Sequence, residues 1–562
     1  IPKTAAKSAA HAYELYKYLA DTRTGLFHVN EVLEGDDVLS EYNTVRDPVK
    51  IINVYGYGYC GILGPTMAGI CEQMGIGRSR ALSLPAWNHV AAETFYNDDW
   101  HYLDIDVRAV FRRPDGTLAS MDDARRDASL WKGPRSPLFF PNDPLERTRQ
   151  IYMETAVDHY YGFHSSGFMM DFVLRPGETL TRWWEPQGGH WHHLPVYNQL
   201  PWLKALIEQT PRGPKPNHRH FTVHNYGNGR FVYAPNLTDS SSDFMDGMYD
   251  AQNVAPVPEG LTLATPGEGY AIFEMRSPYV IVPIVGQLET TDDDRDASVV
   301  EINATGVSLS LSLDNGLTWR ELGDVSSPIT LDLTRYVSGT YGYLLKITLK
   351  GQPEEAIVRS LKMTTYVQVA PASLPSLRRG VNRMEYRAGD HYGLPTRVVE
   401  IRPNASAPED FLKYCDEPPQ DYHPSRKTSR IRGPFVVRVD SPPGTKIGWL
   451  SIGASFRTHQ REAARNTRNM IAYAINAPRD FKTLYEAEMP LDNDHWHYNV
   501  DREVLLNQPA KTVYVRYVGD PAVNNIRIYT HCIAETSHPS SPITITHGWT
   551  ENGVLMTRQV TL

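Results

Sequence analysis

Residues 54 to 106 read VYGYGYCGILGPTMAGICEQMGIGRSRALSLPAWNHVAAETFYNDDWHYLDID, and this stretch decides how the N-terminal part of the chain folds. Cys60 follows a turn in which Tyr55, Tyr57 and Tyr59 alternate with glycine. After it, Leu63, Met67, Ile70, Cys71 and Met74 recur at helical spacing. Gly75-Ile76-Gly77 ends that pattern, because glycine takes the left-handed conformation that closes a helix. Cys60 is thereby expected at a helix N-terminus, where unpaired N–H groups and the positive dipole end favour a thiolate. Pro65 falls inside the pattern, so a later helix start or a bend is expected there.

Beyond Arg78 and Arg80, two runs have strand character: His89 to Tyr96 and Trp100 to Asp104, joined by Asn97-Asp98-Asp99. Such a hairpin brings a histidine at the start of one strand to an aspartate near the end of its neighbour. An imidazole that accepts a thiol proton, oriented by a carboxylate, is the arrangement of covalent nucleophilic catalysis. Cys60, His89 and Asp104 are the candidate nucleophile, base and orienter. A cysteine by itself is more often a small core residue, and Cys71, on the apolar face of the helix, is read that way.

The order Gly58-x-Cys60, helix, Gly75-Ile76 with its arginines, His89-Val90-x-x-Glu93, Trp100-x-x-x-Asp104 resembles the transglutaminase-like cysteine enzymes. The resemblance covers roughly the first quarter of the chain. It implies an α+β, papain-like domain in which Cys60 is nucleophile, His89 general base and acid, and Asp104 the orienter. Members of that superfamily act as protein cross-linkers, amidases or peptidases, and some have an altered, inactive core. The position before the cysteine is Tyr59, which leaves the oxyanion donor unassigned. Tyr55, Tyr57, Tyr59 and Asn88 are therefore kept as candidate acid/base or oxyanion groups.

The chain has 562 residues, a length that calls for several domains. Four are expected: residues 1–135, the transglutaminase-like unit; 136–290, β-rich; 291–400, a β-sandwich; and 401–562, a C-terminal β-sandwich. A net charge of −9 provides no basic footprint for nucleic acid. No apolar run is long enough to span a membrane as a helix. Four cysteines are too few and too scattered for a disulfide framework, although Cys415 and Cys532 remain a possible pair. The chain opens Ile-Pro-Lys-Thr-Ala-Ala-Lys, without an initiating Met, and a secreted or periplasmic protein is expected from which a leader has been removed. No cofactor is expected, and the sequence does not fix an oligomeric state.

Residues 5–21 carry an amphipathic helical pattern. Residues 162 to 201 combine two strand-like runs, Met169 to Leu174 and the run ending at Trp184, with a cluster of tryptophan and histidine. Trp87, Arg182, Trp183, Trp184, His190, Trp191, His192 and His193 are candidate substrate-binding residues. Aromatic faces stack on sugar rings, and a guanidinium pairs a carboxylate or sulfate. Two other readings of the cluster stay open: a metal site that could draw on His218, His220 and His224, and an exposed loop beside a β core. Zinc-like ligand spacing is missing, so no metal is assigned.

From Gly229 on, short strands alternate with turns, as in β-sandwiches. These include Phe231 to Tyr233, Gly269 to Glu274, Tyr279 to Val285 and Val299 to Leu313; later ones are Pro434 to Val439, Lys446 to Ile452, Thr512 to Tyr517 and Asn525 to Tyr529. Linkers are expected at Pro371 to Arg379 and Pro403 to Arg432. Residues 459–477 read as a short helix or a polar loop. Ser312-Leu313-Asp314-Asn315-Gly316-Leu317-Thr318-Trp319 resembles the Asp-box hairpin of sialidases and other secreted carbohydrate-active proteins, with a structural role. The closing strands resemble accessory sandwich modules of secreted carbohydrate enzymes.

Three functions are consistent with this pattern. The first is covalent acyl transfer or amide hydrolysis by Cys60, His89 and Asp104 on an extracellular polymer: a glycan, glycoconjugate or peptide. The second is polysaccharide cleavage in the same cleft, as a lyase on uronic-acid chains or a hydrolase, with His89 and a tyrosine moving the proton and Arg182 or Asn88 neutralising charge. The third is glycan binding without turnover.

Overall fold

The computed structural model describes residues 5–20, 26–28, 45, 47–84, 89–132, 158–160, 168–170, 172–184, 191–193, 223–282, 297–370, 373–374, 381, 396–405, 407–424, 430–457, 468–487, 497–535 and 542–562. Strands dominate. The N-terminal unit opens with α1 (Ala5–Leu19), which buries Ala12, Tyr16 and Leu19 as its amphipathic pattern predicts. A short helix α2 (Pro48–Lys50) continues into a π-helical turn, Ile51–Tyr55, closed by Gly56 at a φ of 70°. The two-residue strands β1 (Phe27–His28) and β2 (Tyr57–Gly58) pair in parallel just before the central helix α3 (Cys60–Gln73).

Helix α3 starts at Cys60 and runs through Pro65, so the later start is not seen. Proline removes one backbone donor in the second turn, and the neighbouring Thr66 hydroxyl donates to the Ile62 carbonyl at 2.8 Å. The helix is buried on most sides, with Ile62, Leu63, Met67 and Cys71 inside. It lies against an antiparallel sheet of order β5-β4-β3-β6: β3 (Ser79–Leu84), β4 (His89–Tyr96), β5 (Asp99–Leu103) and β6 (Asp158–Tyr160). Contact between helix and sheet is close at Gly64. A Cβ there would lie 3.1 Å from the Val90 and Ala91 carbonyls, tight enough to push the helix off the strand.

β4 spans the predicted residues and β5 begins one residue earlier than the sequence reading placed it. Asn97 and Asp98, at φ of 53° and 61°, make the two-residue left-handed turn that matches strand twist, with Tyr96 paired to Asp99. Glu93 of the His-Val-x-x-Glu motif is buried in mid-strand. It accepts from Arg80 Nε at 3.0 Å, Arg80 Nη2 at 2.6 Å and the Met121 amide at 2.7 Å. Arg80 lies over the Trp100 ring at 3.8 Å. The motif's Glu, Arg and Trp therefore hold the sheet together. Glu93→Gln leaves Arg80 without its counter-charge, and about 3 kcal/mol of stability is expected to be lost; equilibrium denaturation measures it.

The second body is a two-layer sandwich. One layer joins Val254–Val257, Gly260–Leu263, Ile357–Val367, Gly229–Tyr233 and Glu178–Arg182, with Val299–Thr305 and Ile329–Asp332 beside them; the other joins Asp250–Gln252, Gly267–Arg276, Gly342–Gly351, Val307–Ser312 and Arg320–Val325. Apolar residues of both layers, such as Phe231, Phe273, Leu309, Ile347 and Val358, share one core. The expected break at 290/291 falls inside this sandwich, because Val299–Thr305 hydrogen-bonds to Ile357–Val367, a strand also paired with Gly229–Tyr233. Likewise β6 completes the N-terminal sheet beyond residue 135, and Thr396–Ile401, which spans 400/401, pairs with the C-terminal sheet. Strand partners are chosen by shape and hydrogen bonding across hundreds of residues, which composition along the chain does not report.

Residues 169–170 and 172–174 are irregular where a strand was expected, and 279–282 carry a bend and a single bridge at Ile281. Within 403–432 the chain makes a helix, Pro408–Leu412, and strands Cys415–Glu417 and Asp421–His423. The described part of 459–477 contains strand Met470–Ile475 in place of helix or loop. The two late strands expected at Thr512 and Asn525 are one strand of 23 residues, Thr512–Ala534. Its first part pairs with Arg430–Asp440 and its last part with Thr445–Arg457, folding the nine-stranded C-terminal sheet around a separate core.

Two contacts tie these bodies to the stretch before Cys60. Buried Lys50 donates to Glu400 Oε1 and Oε2 at 2.9 and 3.1 Å, among the rings of Phe168, Tyr341 and Tyr529. Gln368 donates to the Val54 carbonyl at 3.1 Å. In the Asp box, Asp314 accepts from the Thr318 amide at 2.9 Å and hydroxyl at 2.6 Å. Lys413 reaches Asp314 at 2.9 Å, so this hairpin also anchors the C-terminal module.

Candidate active site

Cys60 is the first residue of α3, half-buried, with Tyr59 at the N-cap. His89 is the first residue of β4, and Asp104 follows the last residue of β5, where it bridges to Ala109. The helix and the hairpin thus deliver all three groups to one end of the sheet. His89 Nε2 lies 2.7 Å from Asp104 Oδ2. His89 and Asp104 are 4% and 1% exposed, so this bond is shielded from water. An ionised carboxylate only accepts, which assigns a proton to Nε2 and turns Nδ1 the other way. The Cys60 thiol is hydrogen-bonded to the same imidazole.

Asp104 is itself fixed. The Tyr102 hydroxyl donates to Oδ2 at 2.7 Å, and the Asp106 and Val107 amides donate to Oδ1 at 3.0 and 3.1 Å. Burial pulls the His89 pKa down; the Asp104 charge and hydrogen bond, aided by Cys60, outweigh it and hold the imidazolium well above the ordinary 6.5.

A fourth residue completes the cluster. Asp106 Oδ2 lies 3.7 Å from His89 Nδ1, with its side chain buried. Cys60, His89 and Asp106 each present a ligand-type atom, and the three lie within 4.8 Å of one another. The sequence reading missed Asp106, although its signal was there. The tight turn sets Ala92 opposite Leu103, and extending that register puts residue 106 across from His89, with 104 on the same face.

The alternating tyrosines divide. Tyr55 and Tyr57 are 0% and 3% exposed and belong to the core. Gln368 bonds the Tyr57 hydroxyl at 3.2 Å, and the Tyr341 hydroxyl meets that of Tyr55 at 3.4 Å. Both hydroxyls are engaged inside the core, which weighs against their candidacy as acid/base or oxyanion groups. Tyr59 is half-buried beside Cys60 and keeps that candidacy.

Arg182 ends a strand of the sandwich and donates to the Tyr279 hydroxyl at 3.0 Å; Arg230 lies over the Trp183 ring at 5.4 Å; Trp184 is exposed. Arg182 and Trp183 are thus tied into the sandwich edge. Trp191 and His192 pair in backbone register with Tyr226 and Asn225, and His193 with Val223. The side chains of Trp191, His192, His193 and His224, and all of Trp87, Asn88, His190, His218 and His220, lie outside the described residues.

Burial pushes the Cys71 and Cys415 thiols up to about 12 and the Cys532 thiol up to about 11, and all four cysteines are free thiols, so Cys415 and Cys532 are not joined. Peptide mapping after brief iodoacetamide treatment at pH 8 is expected to find Cys60 modified at least about tenfold faster than Cys71.

No family model matches the chain, and no curated protein matches it. Three solved structures illustrate its structural likenesses. The ANX1 ectodomain from Arabidopsis thaliana overlaps 47% of this chain and 82% of its own, at 8% identity and a TM-score of 0.17. PNGase F, a glycosylasparaginase from Flavobacterium meningosepticum, overlaps 48% and 90%, at 10% identity and 0.17. The tandem CBM51 modules of a family 98 glycoside hydrolase from Streptococcus pneumoniae overlap 55% and 85%, at 10% identity and 0.13. Likenesses at this level carry no argument about activity.

Proposed function

We propose that this protein is a transglutaminase-like cysteine enzyme that cleaves or transfers an acyl group through Cys60, His89 and Asp104. The observation that carries the reading is the buried 2.7 Å bond from His89 Nε2 to Asp104, on an imidazole whose other side engages a thiol at a helix N-terminus. In the reaction, the Cys60 thiolate adds to an amide carbonyl, and the opening amides of α3 are the candidate donors to the oxyanion. The imidazolium gives its proton to the leaving amine as the C–N bond breaks, leaving a thioester. Water or a second amine, deprotonated by His89, attacks that thioester and regenerates the thiol. Asp104 keeps the imidazole in the working tautomer and offsets its charge.

The substrate class in this proposal is a glycoconjugate or a wall or matrix polymer outside the cytosol. Its support is the aromatic content, 32 Tyr and 11 Trp, together with β-sandwich modules and an Asp-box hairpin behind the catalytic unit. The deciding experiment is a product screen across peptides, glycopeptides and acidic polysaccharides with wild type and Cys60→Ala. Amine release by wild type alone is the expected result. Turnover that persists in Cys60→Ala, or an unsaturated uronate product absorbing in the ultraviolet, overturns it. Burial of Tyr55 and Tyr57 weighs against their serving as the proton carriers of polysaccharide cleavage.

A further inference from the structure

Two carboxylates, one imidazole and one thiol share the interior end of the N-terminal sheet. Asp104 is satisfied by Tyr102, two backbone amides and His89 Nε2. Asp106 brings the second carboxylate to the other side of the ring, its Oδ2 facing His89 Nδ1 at 3.7 Å from a buried side chain.

We propose that a divalent cation of zinc's character binds across Cys60 Sγ, His89 Nδ1 and an Asp106 carboxylate oxygen, and that while bound it holds the thiol out of reaction. The second half rests on the catalytic reading above; the binding itself does not. Thiolate, imidazole and carboxylate are the donor set zinc prefers, and three protein ligands leave a fourth position for water. Tetrahedral zinc, with bonds of about 2.0 to 2.3 Å, holds such donors about 3.4 to 3.6 Å apart. The 3.7 Å separation of Nδ1 and Oδ2 is already close to that, and the whole set lies within 4.8 Å, so closure asks for about 1 Å of side-chain movement. The second shell is in place, because the ring nitrogen left over donates to Asp104, the carboxylate–imidazole pairing that orients histidine on a metal. Binding replaces the thiol proton with the metal and needs no redox partner.

Cobalt(II) added to the full chain, freed of metal by chelator, reads this without turnover. One equivalent is expected to give visible bands of four-coordinate cobalt and a near-ultraviolet thiolate-to-cobalt band. Cys60→Ser should remove the thiolate band, and Asp106→Asn should weaken binding about tenfold or more. In wild type, zinc(II) should slow iodoacetamide modification of the Cys60 peptide at least about tenfold, with full recovery on adding chelator. The proposal is overturned by a cobalt spectrum without a thiolate band, by a thiolate band that survives Cys60→Ser, or by Cys60 modified equally fast with and without zinc(II). The last of these uses wild type alone, so a variant that fails to fold does not blunt the test.

Discussion

Cys60→Ala is expected to lower turnover by a factor of about 10⁴ or more, to the level left by binding and oxyanion contacts alone. The fold should survive the change. Cys60 is half-buried at the mouth of the site, and alanine is the best helix former, so the first turn of α3 loses a nucleophile and little packing. Thermal denaturation within a few degrees of wild type, together with loss of amine release, is the expected pair of results. Equal turnover in both proteins would end the covalent mechanism.

The second large effect is expected at Asp104. Asp104→Asn removes the charge that holds the His89 imidazolium and replaces an acceptor with an amide that also donates, so the ring is free to take the other tautomer. A fall in kcat of roughly 10² to 10⁴ follows, with KM changing much less. The pH profile carries a sharper signature. In wild type the imidazolium persists above the ordinary 6.5, so the basic limb of kcat/KM due to His89 lies above neutral imidazole's range, and Asp104→Asn moves that limb toward lower pH. Stability changes with the same sign. The native state binds the His89 proton more tightly than the unfolded chain, so this contribution is fully present below 6.5 and is lost as pH rises through the raised native value. The slope of stability against pH in that window should flatten in Asp104→Asn. A variant whose basic limb stays put would show that Asp104 does not set the charge of His89.

Local chemistry was legible from residue order. The helix after Cys60 showed in its apolar spacing and its closing Gly75, and the β4–β5 hairpin showed in two strand runs around Asn97-Asp98. Once those two elements are known, the approach of Cys60, His89 and Asp104 follows. The Asp-box turn was equally local, since its Asp–Thr hydrogen bonds span four residues.

What residue order did not disclose involves partners far apart. Val299–Thr305 belongs with Gly229–Tyr233 in one layer because both bond to Ile357–Val367. Thr512–Ala534 reads as two strands because the sequence carries no mark of where a bent strand changes neighbours. Tyr55 and Tyr57 stand beside a cysteine in sequence, and their hydroxyls meet Tyr341 and Gln368, about three hundred residues away, inside the core.

Sequence by itself therefore determined the approach of Cys60, His89 and Asp104, because a helix N-terminus and a two-residue hairpin are built from contacts a few residues long. Tertiary structure decided how deeply each neighbour is held, with Tyr55 and Tyr57 in the core and Tyr59 half-buried beside Cys60, because burial is set by everything packed around a site, wherever it lies along the chain.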